Sequence, residues 1–146
     1  MIVKVTEKLE VVGEAELSLS ISGPFTSAPV LIDTGFTGEL LLSASVAESL
    51  GVKIRTTIRE EVKRPGSAPI LFRKCMVYVR FEGVVVRVRA LIDEYVSDVG
   101  NQERTSDAVE SPPNLLGLLL LQGCRFSVDI LEGETGLIER VHPLPA

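Results

Sequence analysis

Residues 14 to 23, EAELSLSISG, alternate strictly: Ala15, Leu17, Leu19 and Ile21 fall on one face, and Glu16, Ser18, Ser20 and Ser22 on the other. Period two is the mark of a half-buried strand, and Gly23-Pro24 breaks it. The segment before it, Ile2 to Lys8, alternates weakly. Val30 to Asp33 is apolar on both faces until its last residue, which predicts a short central strand. Leu40 to Leu42 predicts another. The period then changes over SASVAESLG: Ser43 or Ser45 can cap, Val46 and Leu50 share a face, and Gly51 stops a helix of about two turns.

Residues 53 to 82 read as a long hairpin. KIRTTIREEVKR is charged and extended, Pro65-Gly66-Ser67 is a turn signal, and ILFRKCMVYVRFEG returns with Val77, Val79 and Phe81 opposite Met76, Tyr78 and Arg80. Gly83 turns the chain into VVVRVRALID, where Val84, Val86, Val88 and Ala90 face away from Val85, Arg87, Arg89 and Leu91. From Glu94 to Pro113 the pattern stops, and a long polar surface loop is expected there. Leu115 and Leu116 predict a strand entering Gly117, and Leu118 to Gln122 one or two helical turns. Arg125 to Ile130 and Gly136 to Val141 predict the last two strands. Many short strands, one or two short helices and several glycine turns predict an all-β, barrel-like fold.

Composition agrees. The chain has 146 residues, of which 45% are hydrophobic and 5% aromatic, with no Trp. A single domain spanning 1–146, with a core of Val, Leu and Ile, is therefore expected. The net charge of -5 is spread along the chain, so no basic footprint for nucleic acid is present. The longest nearly pure apolar run, Leu115 to Leu121, is far shorter than the roughly 20 residues that cross a bilayer. The N-terminal stretch lacks the apolar core of a secretion signal, and a cytoplasmic protein with no membrane partner is expected. Cys75 and Cys124 lack metal-type spacing and are expected to be reduced thiols.

Candidate chemistry is narrowed by the sole histidine, His142, near the C-terminus. Ser-His-Asp and Cys-His catalysis need a positioned imidazole, and zinc sites usually draw on several His or Cys ligands. No metal and no cofactor is expected, and carboxylates become the candidates for proton transfer. One acid stands out. In APVLIDTGFTGELLLSAS, Asp33 ends a strand and is followed by Thr34 and Gly35. On its own, that acid reads equally as a turn residue accepting backbone hydrogen bonds.

Three segments in order, DTGFTGELLLSASVAESLGV, the hairpin around Pro65-Gly66-Ser67, and LLGLLLLQGCRFSVDI, resemble the retropepsin-like aspartic proteases. The small single-domain bacterial and archaeal members are the nearest in pattern. The resemblance spans roughly residues 11 to 141. It implies a closed acid-protease β-barrel that works as a homodimer on a polypeptide substrate. Asp33, Thr34 and Gly35 would be the catalytic triplet: Thr34 would brace the loop, and Gly35 would let the backbone approach the carboxylate. Peptide hydrolysis needs a base for water and an acid for the leaving group, and two carboxylates sharing one proton supply both.

The chain carries one such triplet. ALIDEY at Asp93 has Glu94 and Tyr95 where the hydroxyl and glycine belong, and SDVG at Asp98 lacks the hydroxyl and a preceding strand. The second carboxylate is therefore expected from a second copy across a two-fold axis. The hairpin of about 58–74 would be a flap over an extended peptide, with Pro65, Gly66 and Ser67 at its tip. Phe36 and Thr37 would flank the substrate, although retroviral enzymes carry Ala and an acidic or amide residue there. Leu118 stands where retroviral enzymes have Arg, and Leu119 where many small relatives have Asp. The leucine-rich run is expected at the subunit contact, and 94–113 reads as an inserted loop. A catalytically silent barrel that binds peptide or mediates dimerisation is the alternative.

Overall fold

The computed structural model describes residues 1–62, 66, 70–93 and 114–143. Its strands are β1 (Ile2–Val5), β2 (Val11–Ser18), β3 (Thr26–Ile32), β4 (Leu40–Ser43), β5 (Ile58–Val62), β6 (Ile70–Phe81), β7 (Val84–Asp93), β8 (Leu115–Leu116), β9 (Cys124–Ser127) and β10 (Thr135–Arg140). Two short helices, α1 (Ala44–Ser49) and α2 (Leu118–Leu121), and a 3-10 turn at Ile54–Thr56 complete the described elements. The expected loop 94–113 and the tip residues Pro65 and Ser67 lie outside the described residues. Gly66 is a solvent-exposed turn glycine with φ 75°.

The strands form one sheet in the order β5-β6-β7-β4-β8-β3-β2-β1-β10-β9, with a further pairing of β6 to β2. That pairing closes a ring: β6, β7, β4, β8, β3, β2 and back to β6. The inner face is the core. Ala15, Leu17, Val30, Leu40, Leu42, Val77, Val79, Val88, Ala90, Leu116 and Ile138 are all buried in it. Each fully buried Val, Leu or Ile contributes about 1.5–3 kcal/mol relative to leaving it in water. The core faces that alternation assigned to residues 77–81 and 88–90 are the faces that are buried. A smaller cluster of Ala44, Ala47, Val52 and Ile92 seats α1. Ser43 caps that helix, its Oγ accepting from the Val46 amide at 3.3 Å.

One expectation fails in an instructive way. β2 stops at Ser18, and Leu19 and Ile21 are 41% and 65% exposed rather than continuing the inner face. The serines between them take the backbone. Ser18 Oγ accepts from the Ser20 amide at 3.0 Å, Ser20 Oγ accepts from the Ser22 amide at 3.3 Å, and the Gly23 amide donates to the Ser20 carbonyl at 3.0 Å. Such local bonds compete with the ladder and curl the chain into a turn. The expected strand 125–130 is likewise shorter: it ends at Ser127, and Ile130 is 49% exposed. The hairpin reading holds for 58–62 and 70–74, where Ile58 pairs with Lys74 and Val62 with Ile70. The chain before it coils once at Ile54–Thr56 instead of running extended.

A buried polar knot ties the central strands. Asn114, 1% exposed, accepts from the Ser43 amide through Oδ1 at 2.9 Å and donates from Nδ2 to the Pro29 carbonyl at 3.0 Å. Its own carbonyl accepts from the Leu31 amide at 2.8 Å. One side chain thus bonds β3 and β4 from the residue that opens β8. Asn114→Leu leaves the Ser43 amide and the Pro29 carbonyl without partners, and is expected to lower unfolding free energy by about 2–4 kcal/mol in a urea titration. A loss under about 1 kcal/mol would show that water replaces the amide.

Candidate active site

β3 is central, flanked by β2 and by β8, with which it runs parallel (Leu31 opposite Leu115, Ile32 opposite Leu116). Its last bond places Asp33: the Asp33 amide donates to the Leu116 carbonyl at 3.0 Å. The chain then turns, the Phe36 amide donating to the Asp33 carbonyl at 3.2 Å. Within the turn, the Gly35 amide donates to Asp33 Oδ1 at 2.9 Å. A Cβ on Gly35 would stand 3.2 Å from that oxygen, closer than most side chains tolerate. Asp33 is half-buried, while Thr34, Gly35 and Thr37 are exposed. The carboxylate thus has one oxygen tied to its own loop at an open face.

Gly117 backs this loop. A Cβ there would lie 2.2 Å from the Gly38 carbonyl oxygen and 2.8 Å from the Phe36 carbonyl oxygen. The Gly117 amide donates to the Glu39 carbonyl at 2.9 Å, the Leu118 amide to the Phe36 carbonyl at 2.8 Å, and the Leu119 amide to the Gly38 carbonyl at 3.2 Å. β8 and α2 are therefore laced to residues 36–39 by backbone bonds alone. Gly38 is constrained too: a Cβ there would enter the Phe36 ring, 2.5 Å from Cζ.

Asp93 cannot complete the site within one chain. It ends β7 opposite Ser43, whereas Leu116, whose carbonyl holds Asp33, lies opposite Leu40 at the other end of β4. Two strands, β4 and β8, separate β7 from β3, so sheet spacing alone keeps the two acids more than about 10 Å apart.

Strand register puts a row of apolar side chains on the face that Asp33 shares with Leu31. Val12, Leu31, Leu115, Leu41 and Leu91 are consecutive partners across β2, β3, β8, β4 and β7, and all are half-buried. Beyond Leu91 lies a recess of about 280 Å³, lined by Phe36, Thr37, Gly38, Glu39, Leu40, Glu60, Glu61, Arg89 and Leu91. Glu60 Oε1 meets Arg89 Nη1 at 3.3 Å and Lys74 Nζ at 4.0 Å there, joining the hairpin strand β5 to β7 and β6. A larger groove of about 720 Å³ runs along β1 and β2, but it includes no residue of the Asp33 loop. Chemistry, not size, favours the smaller recess.

Of the residues singled out from sequence, Asp33, Thr34, Gly35, Phe36 and Thr37 form one loop, and Phe36 and Thr37 line the recess with the root of the hairpin. Asn114, Gly38, Glu60 and Arg89 were not singled out. The polar Asn114 leading directly into Leu115-Leu116-Gly117 was the available signal, since an amide at the mouth of an apolar run needs buried partners. Elsewhere, burial pushes the thiols of Cys75 and Cys124 up, and both are free. Among the described residues no three His, Cys, Asp or Glu side chains gather as a metal site, and no helix is long and apolar enough to cross a membrane.

No family model matches the chain, and no curated protein sequence matches it. Among solved structures the chain is similar to a retropepsin-like aspartic protease from Rickettsia conorii. The TM-score is 0.62 at 13% identity, over 95% of this chain and 89% of that one. The mostly β architecture described above is therefore similar in fold to that protease. At that identity the likeness is one of fold.

Proposed function

We propose that the protein is a homodimeric aspartic endopeptidase whose site is completed by Asp33 of each subunit. The observation that supports this most is Asp33 itself, presented at the end of the central strand with Oδ1 bonded to the Gly35 amide. Its loop packs against Gly117, where a Cβ would meet the Gly38 carbonyl oxygen at 2.2 Å. Two such loops facing across a two-fold axis bring two carboxylates together with one proton between them. The ionised one takes a proton from water as the water oxygen attacks the scissile carbonyl carbon. The protonated one gives its proton to the carbonyl oxygen. The tetrahedral diol then collapses: the proton taken from water passes from the pair to the nitrogen, a diol hydroxyl returns one proton to the pair, and the C–N bond breaks. No metal or cofactor enters any step.

The substrate is an extended polypeptide. Leu31 and Leu115 would contact the side chains beside the scissile bond, and the recess at Phe36 and Thr37 one further along. The hairpin with Pro65, Gly66 and Ser67 would close over the peptide as a flap and exclude water. The test is a diverse pool of unfolded peptides, incubated with purified protein from about pH 3 to 7, with and without a statine-type transition-state mimic. Cleavage that the mimic blocks is expected. A pure dimer that cuts nothing across that range would instead be a silent peptide-binding or dimerisation module.

A further inference from the structure

We infer that the recess between the Asp33 loop and the root of the hairpin is a specificity subsite for one arginine or lysine side chain of the substrate, with Glu39 and Glu61 receiving its charge. The inference rests on the peptidase reading and adds to it a substrate class: polypeptides with a basic residue near an apolar cleavage point. The recess has two walls. Phe36 and Glu39 come from the loop that Asp33 opens, and Glu60, Glu61, Arg89 and Leu91 from the hairpin and β7. Its volume of about 280 Å³ falls just below the roughly 300–1,000 Å³ of sites built for small ligands. One long side chain is the occupant that fits.

Three features select a cation on a long apolar stem. First, the lining mixes apolar and acidic groups: Phe36 and Leu91 can cover methylenes while carboxylates take the head, the division that Lys and Arg side chains require. Second, the acids outnumber the bases. Glu60 is already answered by Arg89 at 3.3 Å and by Lys74 at 4.0 Å. Glu39 and Glu61 meet no cation among the described residues. Glu39 is half-buried, where an unanswered carboxylate costs more than in open water. Third, the Arg89 contact with Glu60 shows that the rim already seats one guanidinium against a carboxylate. Glu39 is also held in place, because its carbonyl accepts from the Gly117 amide at 2.9 Å. Leu91 lies three strand spacings from Leu31 in the apolar row, about 14 Å, or about four residues of extended peptide. The basic residue therefore falls within about four positions of the scissile bond. Two subunits supply two recesses, so it can fall on either side.

Peptides that share one apolar centre, with Arg, Gln or Glu placed in turn at the flanking positions, test this at low ionic strength. At the best position kcat/KM should be about tenfold higher for Arg than for Gln, and lowest for Glu. The Arg preference should shrink severalfold in about 1 M salt, where the screening length is about 3 Å. For variants the readout is the ratio of Arg to Gln cleavage within one sample, which does not depend on how much of that sample is folded. Glu39→Gln combined with Glu61→Gln should bring the ratio to about one, and Glu39→Lys should favour the Glu peptide. If substitution at 39 prevents folding, Glu61→Lys, at an exposed position of β5, should give the same reversal. Cleavage without a preference for Arg, or a preference unmoved by the variants, overturns the subsite. If the wild-type protein cuts none of the peptides, the peptidase reading falls, and fluorescence anisotropy of the labelled, uncut peptides decides the recess separately. Tighter binding of the Arg peptide that the double variant loses upholds it. Equal binding of the Arg and Gln peptides, or a difference the double variant keeps, overturns it.

Discussion

Asp33→Asn is expected to reduce peptide cleavage by at least about a thousandfold, while the protein stays folded and dimeric. Asparagine is nearly the same size as aspartate, and its Oδ1 can still accept from the Gly35 amide, which lies 2.9 Å from Asp33 Oδ1. The loop therefore keeps its internal bond, and the unfolding free energy should move by no more than about 0.5 kcal/mol. What disappears is proton chemistry. An amide neither takes a proton from water nor shares one with its twin, and in a homodimer both halves are lost at once. Initial rates on a peptide substrate, paired with sedimentation and a thermal melt of the same sample, separate the effects. Residual turnover within tenfold of wild type would show that Asp33 is not the acid–base group.

The second large effect is expected at Gly117. Gly117→Ala forces a methyl group to within 2.2 Å of the Gly38 carbonyl oxygen and 2.7 Å of the Phe36 ring. Neither backbone can yield without breaking the bonds from Gly117, Leu118 and Leu119 to residues 36–39. A loss of about 1–3 kcal/mol in unfolding free energy is expected from overpacking of this kind, measured by urea denaturation. Cleavage should fall further than stability accounts for, because the displaced element is the Asp33 loop. Gly133→Ala is the matched control. Nothing lies within 4 Å of its Cβ position, so only the strain of its φ of 83° is added, far from the loop. If the two variants are equally stable and equally active, β8 does not brace the candidate site as described.

Much of this was legible in the residues. The alternation at 77–81 and 88–90 separated the buried face from the other, because in a strand with one face on the core, side-chain burial follows period two directly. Asp33 was conspicuous for the opposite reason: a carboxylate closing an apolar strand violates the local pattern, and such violations gather at functional sites. The 15–21 alternation misled beyond Ser18, since a hydroxyl looks polar in a pattern but acts as a backbone acceptor in space. Asn114 was invisible as a knot, because its partners Ser43 and Pro29 lie 71 and 85 residues away. The hairpin at 58–74 could be placed because its pairing is local and its turn residues are distinctive.

By itself, then, the order of residues determined a β-rich chain, the alternating faces of its long strands, a short helix capped at Ser43 or Ser45, and one acid, Asp33, that closes an apolar strand before Thr34 and Gly35. These are local outcomes of side-chain period, turn chemistry and capping. Tertiary structure alone decided that the parallel pairing of β3 with β8 lays Gly117 against the Asp33 loop, that Asp93 ends at the far side of the sheet, and that Leu118 and Leu119 stay bare while Leu120 and Leu121 are buried. Those outcomes depend on which distant strands become neighbours. Loop closure and close packing over the whole chain settle that, and no short window of residues contains it.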